Sequence, residues 1–345
     1  MKLVLSILTC IFICSCSQTV TKEKTKNTVQ IIDSLAIQKY ANSITAAELK
    51  THLSIYASND FQGRNTGETG QKKAVRFLKN YYQNQNILSP VNDSIYFQYI
   101  PENYLPDGTN ATENVLAFIK GSSKPEEVLI ISAHLDHLGK KADIIFNGAD
   151  DNGSGTVALM EIAQAFKIAK QNGHSPKRSI LFLHLSGEEI GLYGSQYYAE
   201  NPVFKLNKTI ANLNIDMVGR IDKKHKNNPN YLYIIGANRL SQELHDINEK
   251  ANSSFTQLDL DYTFNAADDV NQFYSRSDHY NFAKHNIPVI FYFNGTHNDF
   301  HKETDTAEKI NYSLIEKRSK LIFATAWQLA NRDNMLKLNA NTNSN

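Results

Sequence analysis

The sequence predicts a three-layer α/β/α sandwich around a mixed, mainly parallel sheet. Short apolar segments rich in β-forming residues alternate with helical segments through most of the chain, which is typical of parallel sheets covered by helices. Residues 128–132 form a continuous apolar run, as expected of a strand buried on both faces. Imidazole and carboxylate side chains follow several of these runs, at the sheet edge where α/β proteins build their sites.

Each predicted element has its own local signal. The apolar, β-rich segments predicted as strands are 95–100, 115–119, 128–133, 180–185, 210–215, 231–235 and 288–293. A first helix is predicted at Thr45, which forms a capping box with Glu48. Further helices are predicted at 71–82, 154–169, 192–199, 240–251 and 313–330. Strands and helices alternate too closely for the chain to be divided into two domains, so one folded domain is the simplest interpretation.

The chain divides into four parts. Residues 1–15 are predicted to be a secretory signal peptide, because Lys2 precedes an apolar run that is too short to span a membrane. Residues 16–44 are predicted to be a polar tether and residues 45–335 the folded domain. Residues 336–345 are predicted to be a disordered, Asn-rich tail.

The three cysteines of the chain all lie within its first sixteen residues. Ile13-Cys14-Ser15-Cys16 resembles a bacterial lipobox, in which Cys16 would accept the lipid. Two or more acyl chains there would give a stable membrane anchor. Ser17 stands where inner-membrane lipoproteins commonly carry Asp. We therefore predict a lipoprotein of the bacterial cell envelope, in the outer membrane and facing the periplasm.

Composition excludes other classes of partner and of chemistry. The net charge is +1 and the lysines and arginines are scattered, so no nucleic-acid partner is predicted. The folded part contains no cysteine, so it can form neither an internal disulfide nor a thiolate-bound metal site. The predicted oligomeric state is a monomer.

Metal-binding side chains occur at five positions, at or just past the ends of apolar runs. The positions are His134-Leu135-Asp136, Asp150-Asp151-Asn152, Glu188-Glu189, Asp216-Met217 and Phe300-His301. Imidazoles with carboxylates and no thiolate suit zinc or a similar divalent ion with open positions for chemistry. Adjacent carboxylates at a buried rim repel each other unless a cation compensates them. The sequence therefore predicts a metal site.

The motifs, in this order, resemble metallopeptidase family twenty-eight, the di-zinc aminopeptidases. The likeness extends to Gly63-Arg64 with Gly67, to the block 187–195 and to Ser277-Asp278-His279. It covers most of residues 45–335, which would then be a zinc peptidase catalytic domain. The resemblance implies a metallo-aminopeptidase that hydrolyses the N-terminal peptide bond of a peptide with a free N-terminus.

The resemblance also implies which residues bind metal. Asp151 would bridge two zinc ions, so that the cofactors are two Zn²⁺ per chain. Glu189 and His301 would complete one zinc site. His134 and Asp216 would complete the other. Asp150 belongs to the same acidic loop but is not counted as a ligand.

Two further residues receive catalytic roles from the resemblance. Glu188 would be the general base that takes a proton from the attacking water and returns it to the leaving amine. Asp136 would accept the second ring N–H of His134 and so fix its tautomer. Family members also commonly hold the bridging carboxylate with a cis peptide bond, here expected between Asp151 and Asn152.

Substrate contacts differ among relatives of this family. Phe300 precedes the last ligand at a position where some relatives have a tyrosine, and its ring cannot donate a hydrogen bond. A backbone carbonyl near Arg276 lies where relatives hold the free amine of the substrate. This position favours N-terminal specificity.

Three alternative functions remain open. A glutaminyl cyclase, a one-zinc acyltransferase, carries Trp in its site, whereas the single Trp327 lies in a late helix. A carboxypeptidase or dipeptidase of the same superfamily that acts on acidic peptides needs a basic pocket, for which Arg64 and Arg276 are the obvious candidates. A non-catalytic peptide-binding module would not need all five ligands together with Glu188.

Overall fold

The computed structural model describes residues 29–92 and 94–340. The strands, in chain order, are β1 (Phe97–Ile100), β2 (Thr112–Ile119), β3 (Lys124–His134), β4 (Gly139–Lys141), β5 (Ile144–Phe146), β6 (Arg178–Leu185), β7 (Thr209–Ile215), β8 (Tyr231–Ile235), β9 (Asp259–Asp261) and β10 (Val289–Phe293). Eight of them form one sheet in the order β1-β2-β6-β3-β7-β10-β8-β9. The remaining two, β4 and β5, pair as a separate hairpin.

Helices cover both faces of this sheet. They are α1 (Ser34–Ala41), α2 (Ala46–Tyr56), α3 (Thr69–Asn84), α4 (Gly155–Gln171), α5 (Tyr193–Glu200), α6 (Gln242–Ala251), α7 (His279–Ala283) and α8 (Tyr312–Asn331). Helices α5 and α7 pack on one face and the others on the opposite face. The predicted three-layer α/β/α sandwich around a mixed, mainly parallel sheet is confirmed. No helix in the described part of the chain is long and apolar enough to cross a membrane.

The central strand β3 shows why the sequence predicts a strand buried on both faces. Leu129 and Ile131 pack into the larger apolar core beneath α4 and α8, whereas Val128 and Ile130 pack against α5 and α7. Side chains alternate between the two faces of a strand, so a strand covered by helices on both sides needs apolar residues at every position.

The parallel strands place the predicted ligands at one edge of the sheet. Strand β3 pairs in parallel with β6 and β7, and β7 pairs in parallel with β10. The carboxyl ends of these four strands therefore meet at a common edge, which we call the carboxyl-end rim. The opposite edge, where the same four strands begin, is the amino-end face.

The N-terminal segment is folded from Val29 onward, and part of the predicted tether is structured. Helix α1 buries Ile37 and Tyr40, and Ile44 is also fully buried. The prediction of a polar tether over 16–44 is therefore wrong for residues 34–44, whose few apolar side chains suffice to dock one short helix. The predicted signal peptide, Cys16 and the rest of the tether up to residue 28 lie outside the described residues.

The C-terminal segment also packs further than predicted. Leu336 is buried, and the backbone N–H of Asn339 donates to the carbonyl of Leu240 at 2.9 Å. The prediction of a disordered tail is thus wrong for residues 336–340. Residues 341–345 lie outside the described part of the chain.

Helix α4 carries a buried carboxyl group away from the rim. Glu161 is 1% exposed, and its oxygens accept no hydrogen bond from the described residues. The His52 ring lies beside it, with Nε2 3.5 Å from Glu161 Oε1, but burial lowers the pKa of His52, so this ring supplies little positive charge. Burial, with a smaller repulsion from Glu48, raises the pKa of Glu161 from 4.5 to about 8.

This buried carboxyl predicts a specific pH dependence of stability. Between pH 4.5 and about 8 the unfolded chain releases a proton that folded Glu161 retains, so the free energy of unfolding falls as pH rises. A tenfold difference in proton affinity between the folded and unfolded chains is worth about 1.4 kcal/mol. We expect Glu161→Gln to flatten this slope and to stabilise the protein by a few kcal/mol at pH 8. Urea denaturation at pH 5 and pH 8, with exposed Glu126→Gln as the control, measures the effect. An unchanged slope in Glu161→Gln would contradict the assignment.

Candidate metal centre

Side chains from five separate segments converge at the carboxyl-end rim. His134 ends β3, Glu189 and Asp216 follow β6 and β7, Asp151 precedes α4, and His301 lies in the loop after β10. In a first cluster, His134 Nε2 lies 3.3 Å from Asp216 Oδ1 and 3.4 Å from Asp151 Oδ1. The other two predicted ligands, Glu189 and His301, lie in a second cluster directly beside this one.

A second cluster shares Asp151 with the first. His301 Nε2 lies 3.0 Å from Asp151 Oδ2 and 3.3 Å from Glu189 Oε2. The two carboxylate oxygens of Asp151 thus face different histidines, one in each cluster. This is the arrangement that a bridging carboxylate requires.

The spacing of these atoms fits divalent metal ions. Ligand atoms on a tetrahedral ion with bonds of about 2.0 Å lie about 3.3 Å apart. The donor-atom distances in the two clusters fall between 3.0 and 3.4 Å. His134, Asp151 and Glu189 also offer ligand atoms within 4.8 Å of one another. Imidazole and carboxylate donors without a thiolate are the set expected for zinc in a catalytic site.

The electrostatics of the clusters favour cations. Burial alone would lower the pKa of His134, but Asp216 and Glu188 outweigh it and hold that pKa well above its usual value. Burial also opposes protonation of His301, yet hydrogen bonds to Asp151 and Glu189 raise its pKa to about 10. Imidazole binds metal only in its neutral form, so a divalent ion would replace these protons.

The loop that carries Asp151 is fixed from two sides. Asn152 Nδ2 donates to the carbonyl of Ile215 at 2.9 Å, and Asn152 Oδ1 accepts from the backbone N–H of Met217 at 3.0 Å. The carboxylate of Asp305 accepts from the backbone N–H of Asp151 at 3.2 Å. The peptide bond between Asp151 and Asn152 is cis, which confirms the prediction.

Asp150 is turned away from both clusters. Its Oδ1 accepts from Ser154 Oγ at 2.9 Å and from the backbone N–H of Gly219 at 2.6 Å. Its Oδ2 lies 3.1 Å from the nitrogens of Asn294 and His297. Both oxygens of the Asp150 carboxylate therefore contact groups inside the fold.

Asp136 contacts His134 through a different atom from the one predicted. His134 Nδ1 lies 3.2 Å from the backbone carbonyl oxygen of Asp136 but 3.8 Å from its carboxylate, which is too long for a hydrogen bond. The carboxylate instead accepts from Thr66 Oγ1 at 2.7 Å and from the backbone N–H groups of Glu188 at 3.3 Å and Glu189 at 3.4 Å. Asp136 therefore positions the two glutamates.

Glu188 lies beside the first cluster without joining it. Its half-buried side chain forms no ion pair within 4.0 Å in the described residues, and its neighbours include Glu189 and Asp216. Burial raises the pKa of Glu188 well above its usual value, and repulsion from Glu189, Asp216 and Asp278 adds to the effect. A carboxyl group with a raised pKa next to a metal site is suited to accept and return a proton.

His137 contacts the second cluster, and the sequence interpretation gave it no role. This buried ring places Nδ1 2.7 Å from Glu189 Oε1 and 3.7 Å from Asp151 Oδ2, so it orients the second cluster. Gly148 makes room for it, since a Cβ at that position would lie 2.4 Å from the His137 ring. The signal was present in the sequence as the second histidine of His134-Leu135-Asp136-His137.

The Ser277-Asp278-His279 block lies behind the first cluster. Ser277 Oγ donates to Asp216 Oδ2 at 2.7 Å and accepts from Asn214 Nδ2 at 2.8 Å. This chain of hydrogen bonds leaves Asp216 Oδ1 directed toward His134. Asp278 is fully buried, and burial raises its pKa to about 7.

Arg64 supports the rim from inside and is not a substrate-binding group. Its buried guanidinium donates to four backbone carbonyls at 2.8 to 3.2 Å, those of Tyr56, Leu135, Asn147 and Gly148. These contacts join the strand end at His134 to the loop that carries Asp151. Arg64 is therefore not available to bind substrate carboxylates, as considered for a carboxypeptidase, and only the exposed Arg276 remains of that pair.

The role of Arg64 can be tested by stability. We expect Arg64→Met to leave buried carbonyls unpaired and to lower the free energy of unfolding by about 4 kcal/mol. Arg76→Met, on the exposed side of α3, should change it by less than about 0.5 kcal/mol. Urea denaturation of both variants gives the comparison. Equal stability of the two variants would show that the guanidinium does not hold the rim.

Comparison with known proteins defines the family. Residues 114–326 match the family model described as Peptidase family M28, and the chain belongs to this family. A probable leucine aminopeptidase of Arthroderma otae is 30% identical over 227 residues, which cover 63% of this chain and 57% of that protein. The chain therefore spans little more than half the length of this curated relative.

Two solved structures show the same fold. BSAP, a zinc aminopeptidase from Bacillus subtilis, is 15% identical with a TM-score of 0.64, over 84% of this chain and 96% of that one. Porphyromonas gingivalis glutaminyl cyclase is 19% identical with a TM-score of 0.63, over 82% of this chain and 98% of that one. At such identities the likeness is one of fold, and the site must decide the activity.

Proposed function

We propose that the protein is a zinc-dependent aminopeptidase that binds two zinc ions. The observation that carries the proposal is the position of Asp151, whose two oxygens face His134 in one cluster and His301 in the other. Asp216 would complete the first site and Glu189 the second. When bound, two zinc ions would supply Lewis acidity to the water and to the scissile carbonyl.

The residues around the ions would transfer the proton and hold the catalytic groups in position. Among the described residues Glu188 has no competing ion pair, and its pKa is raised by burial, so it can take a proton from water and pass it to the leaving amine. The Asp136 carboxylate accepts a hydrogen bond from the backbone N–H of Glu188 and another from Thr66 Oγ1, and so holds the Glu188 backbone in place. Since Phe300 stacks on the His301 ring at 3.9 Å and offers no donor, no tyrosine hydroxyl assists at that position.

An apolar preference for the N-terminal side chain is part of the proposal. Met217, which directly follows Asp216, belongs to a cluster of buried aromatic side chains, and Phe300 packs against that cluster. Phe273 and Phe293 are buried members of the cluster, and the partly buried Phe264 packs against it. An apolar substrate side chain next to the metal centre would find apolar surface there. The name of the Arthroderma relative, a probable leucine aminopeptidase, agrees with this preference.

The glutaminyl cyclase alternative predicts a different metal content. A cyclase of the kind considered uses one zinc, whereas this chain presents a carboxylate shared between two histidine clusters. Trp327, the single tryptophan, packs in the core against Phe166 and Tyr40. It is therefore not available in the site, which favours the peptidase.

The proposal is tested with substrates and metal together. We expect hydrolysis of leucine p-nitroanilide, no hydrolysis of its N-acetyl analogue, and complete loss of activity with a chelator that added zinc restores. Metal analysis at saturating zinc should give two equivalents per chain. One equivalent together with cyclisation of N-terminal glutamine would establish the cyclase. Cleavage from the carboxyl end of acidic peptides would establish the carboxypeptidase.

We further propose that the chain is a lipoprotein anchored at Cys16, with the catalytic domain in the periplasm. The support is the lipobox-like Ile13-Cys14-Ser15-Cys16, which follows the apolar run, and the absence of cysteine after residue 16 of the sequence. Cys16→Ser should abolish lipid labelling and membrane retention, whereas Cys14→Ser should change neither. Labelling that persists in Cys16→Ser would place the anchor elsewhere.

A further inference from the structure

Lysines gather on the amino-end face, opposite the metal centre. Lys120 follows the end of β2, Lys124 begins β3, and Lys177 directly precedes β6. Lys205 and Lys208 precede β7. Helix α4 runs from the rim to this face, where Lys170 Nζ donates to the carbonyl of Lys120 at 3.1 Å. Seven lysines of the described chain lie here, namely Lys120, Lys124, Lys167, Lys170, Lys177, Lys205 and Lys208.

Carboxylates neutralise only part of this charge. Lys177 pairs with Asp333 at 2.6 Å. Within the described residues no carboxylate lies within 4.0 Å of Lys120, Lys205 or Lys208. Burial lowers the pKa of Lys170, and repulsion from Lys167 and Lys120 lowers it further. Glu126 and Glu127 at the start of β3 and Asp333 also lie on this face, and Glu127 pairs with Arg178. The seven lysines outnumber these carboxylates, so positive charge predominates here in a chain whose net charge is only +1.

The same face exposes apolar side chains. Met335 is 41% exposed and Leu338 is 46% exposed. Both line a cavity of about 430 Å³ at the beginning of β7 and β10. The other apolar residues that line the cavity are Leu206, Ile210, Ile287, Pro288 and Leu336. Lys205 and Lys208 are sequence neighbours of residues that line this cavity, so basic side chains lie next to its apolar surface.

The chain enters the fold at this face. Val29, the first described residue, lines a second cavity together with Arg332 and Leu338, and the backbone N–H of Ile32 donates to Gln328 Oε1 at 3.0 Å. Twenty-eight residues precede Val29. Twelve residues lie between Cys16 and Val29. The thirteen Cα-to-Cα steps from Cys16 to Val29 reach only about 45 Å even when fully extended.

We propose that the amino-end face binds the surface of an anionic lipid bilayer, so that the metal centre points away from the membrane. Lysines close to a bilayer are attracted by anionic headgroups, and exposed apolar side chains such as Leu338 enter the headgroup boundary. With the lipid anchor proposed at Cys16, the anchored segment would join the fold on the side of this face. Peptides in solution would then reach the metal centre without obstruction.

Vesicle co-sedimentation of the full chain carrying Cys16→Ser tests the proposal without the lipid anchor. We expect the protein to prefer vesicles of phosphatidylethanolamine and phosphatidylglycerol over phosphatidylcholine vesicles, and to lose this preference in 0.5 M salt. The apolar segment 3–13 is present in every variant, so it contributes equally to each comparison. Equal binding to both vesicles at low salt would overturn the proposal.

Two matched triple variants locate the binding surface. Lys120→Gln/Lys205→Gln/Lys208→Gln should weaken binding to anionic vesicles roughly 100-fold, since each lysine near the surface contributes about a fivefold factor. Lys140→Gln/Lys141→Gln/Lys223→Gln removes the same charge at the carboxyl-end side and should change binding less than twofold. Unaltered peptidase activity of the first variant would show that it is folded. Equal losses in the two variants would mean that net charge, and not this face, is responsible.

Discussion

Glu188→Gln is expected to abolish most of the peptidase activity while the protein keeps its fold and both metal ions. The amide is nearly isosteric with the carboxylate but cannot accept and return a proton. General base catalysis contributes typically 10²–10⁴-fold, so kcat should fall by about that factor or more, with little change in KM. Steady-state kinetics on leucine p-nitroanilide, with metal analysis of the same sample, measures both quantities.

The neighbouring glutamate provides the matched control. Glu189 Oε2 lies 3.3 Å from His301 Nε2 and its other oxygen 2.7 Å from His137 Nδ1, so Glu189→Gln should weaken metal binding itself. Excess zinc should restore part of the activity of Glu189→Gln and none of that of Glu188→Gln. Rescue of Glu188→Gln by zinc, or loss of a metal from it, would exchange the roles of the two residues.

The rim could be predicted because its chemistry follows from strand direction. His134 and Asp216 end or follow parallel strands whose carboxyl ends meet at one edge, so residues 82 positions apart come within 3.3 Å. The side-chain types alone then indicate a divalent metal. Both steps need only the apolar periodicity and the identity of the residue at each strand end.

The supporting contacts could not be predicted in the same way. Thr66, which is 70 positions from Asp136 in the sequence, donates to its carboxylate. Thr66 lies in a loop that does not follow a strand of the sheet, so strand direction does not predict its position. That contact turns the carboxylate toward the backbone of Glu188 and leaves the Asp136 carbonyl to meet His134. Which oxygen of one residue meets which neighbour depends on local rotamers and not on residue spacing.

Short elements were missed for a related reason. Helix α1 has only 8 residues and lies in a polar stretch, so a few apolar positions give too little periodicity to distinguish it from a linker. Its stability comes from packing of Ile37 and Tyr40 against the core formed by α4 and α8. Such tertiary packing is invisible to a local pattern.

Asp151→Asn is expected to impair both metal sites at once, and this separates a bridging ligand from an ordinary one. The amide offers one neutral oxygen, whereas the carboxylate presents an anionic oxygen 3.4 Å from His134 Nε2 and another 3.0 Å from His301 Nε2. Burial would raise the pKa of Asp151, but hydrogen bonds to His134 and His301 hold it well below its usual value. The charge that the variant removes is therefore present throughout the working pH range.

Three variants compared after dialysis against dilute zinc make the test decisive. Asp151→Asn should retain less than one equivalent of zinc and lose at least about 10³-fold in kcat/KM, since neither ion keeps its full ligand set. Asp216→Asn should lose mainly one equivalent. Asp150→Asn changes the adjacent carboxylate, which is bonded to Ser154 and Gly219 inside the fold, and should retain both. If Asp151→Asn kept two equivalents, or if Asp150→Asn lost both, the carboxylate shared between the sites would have to be reassigned.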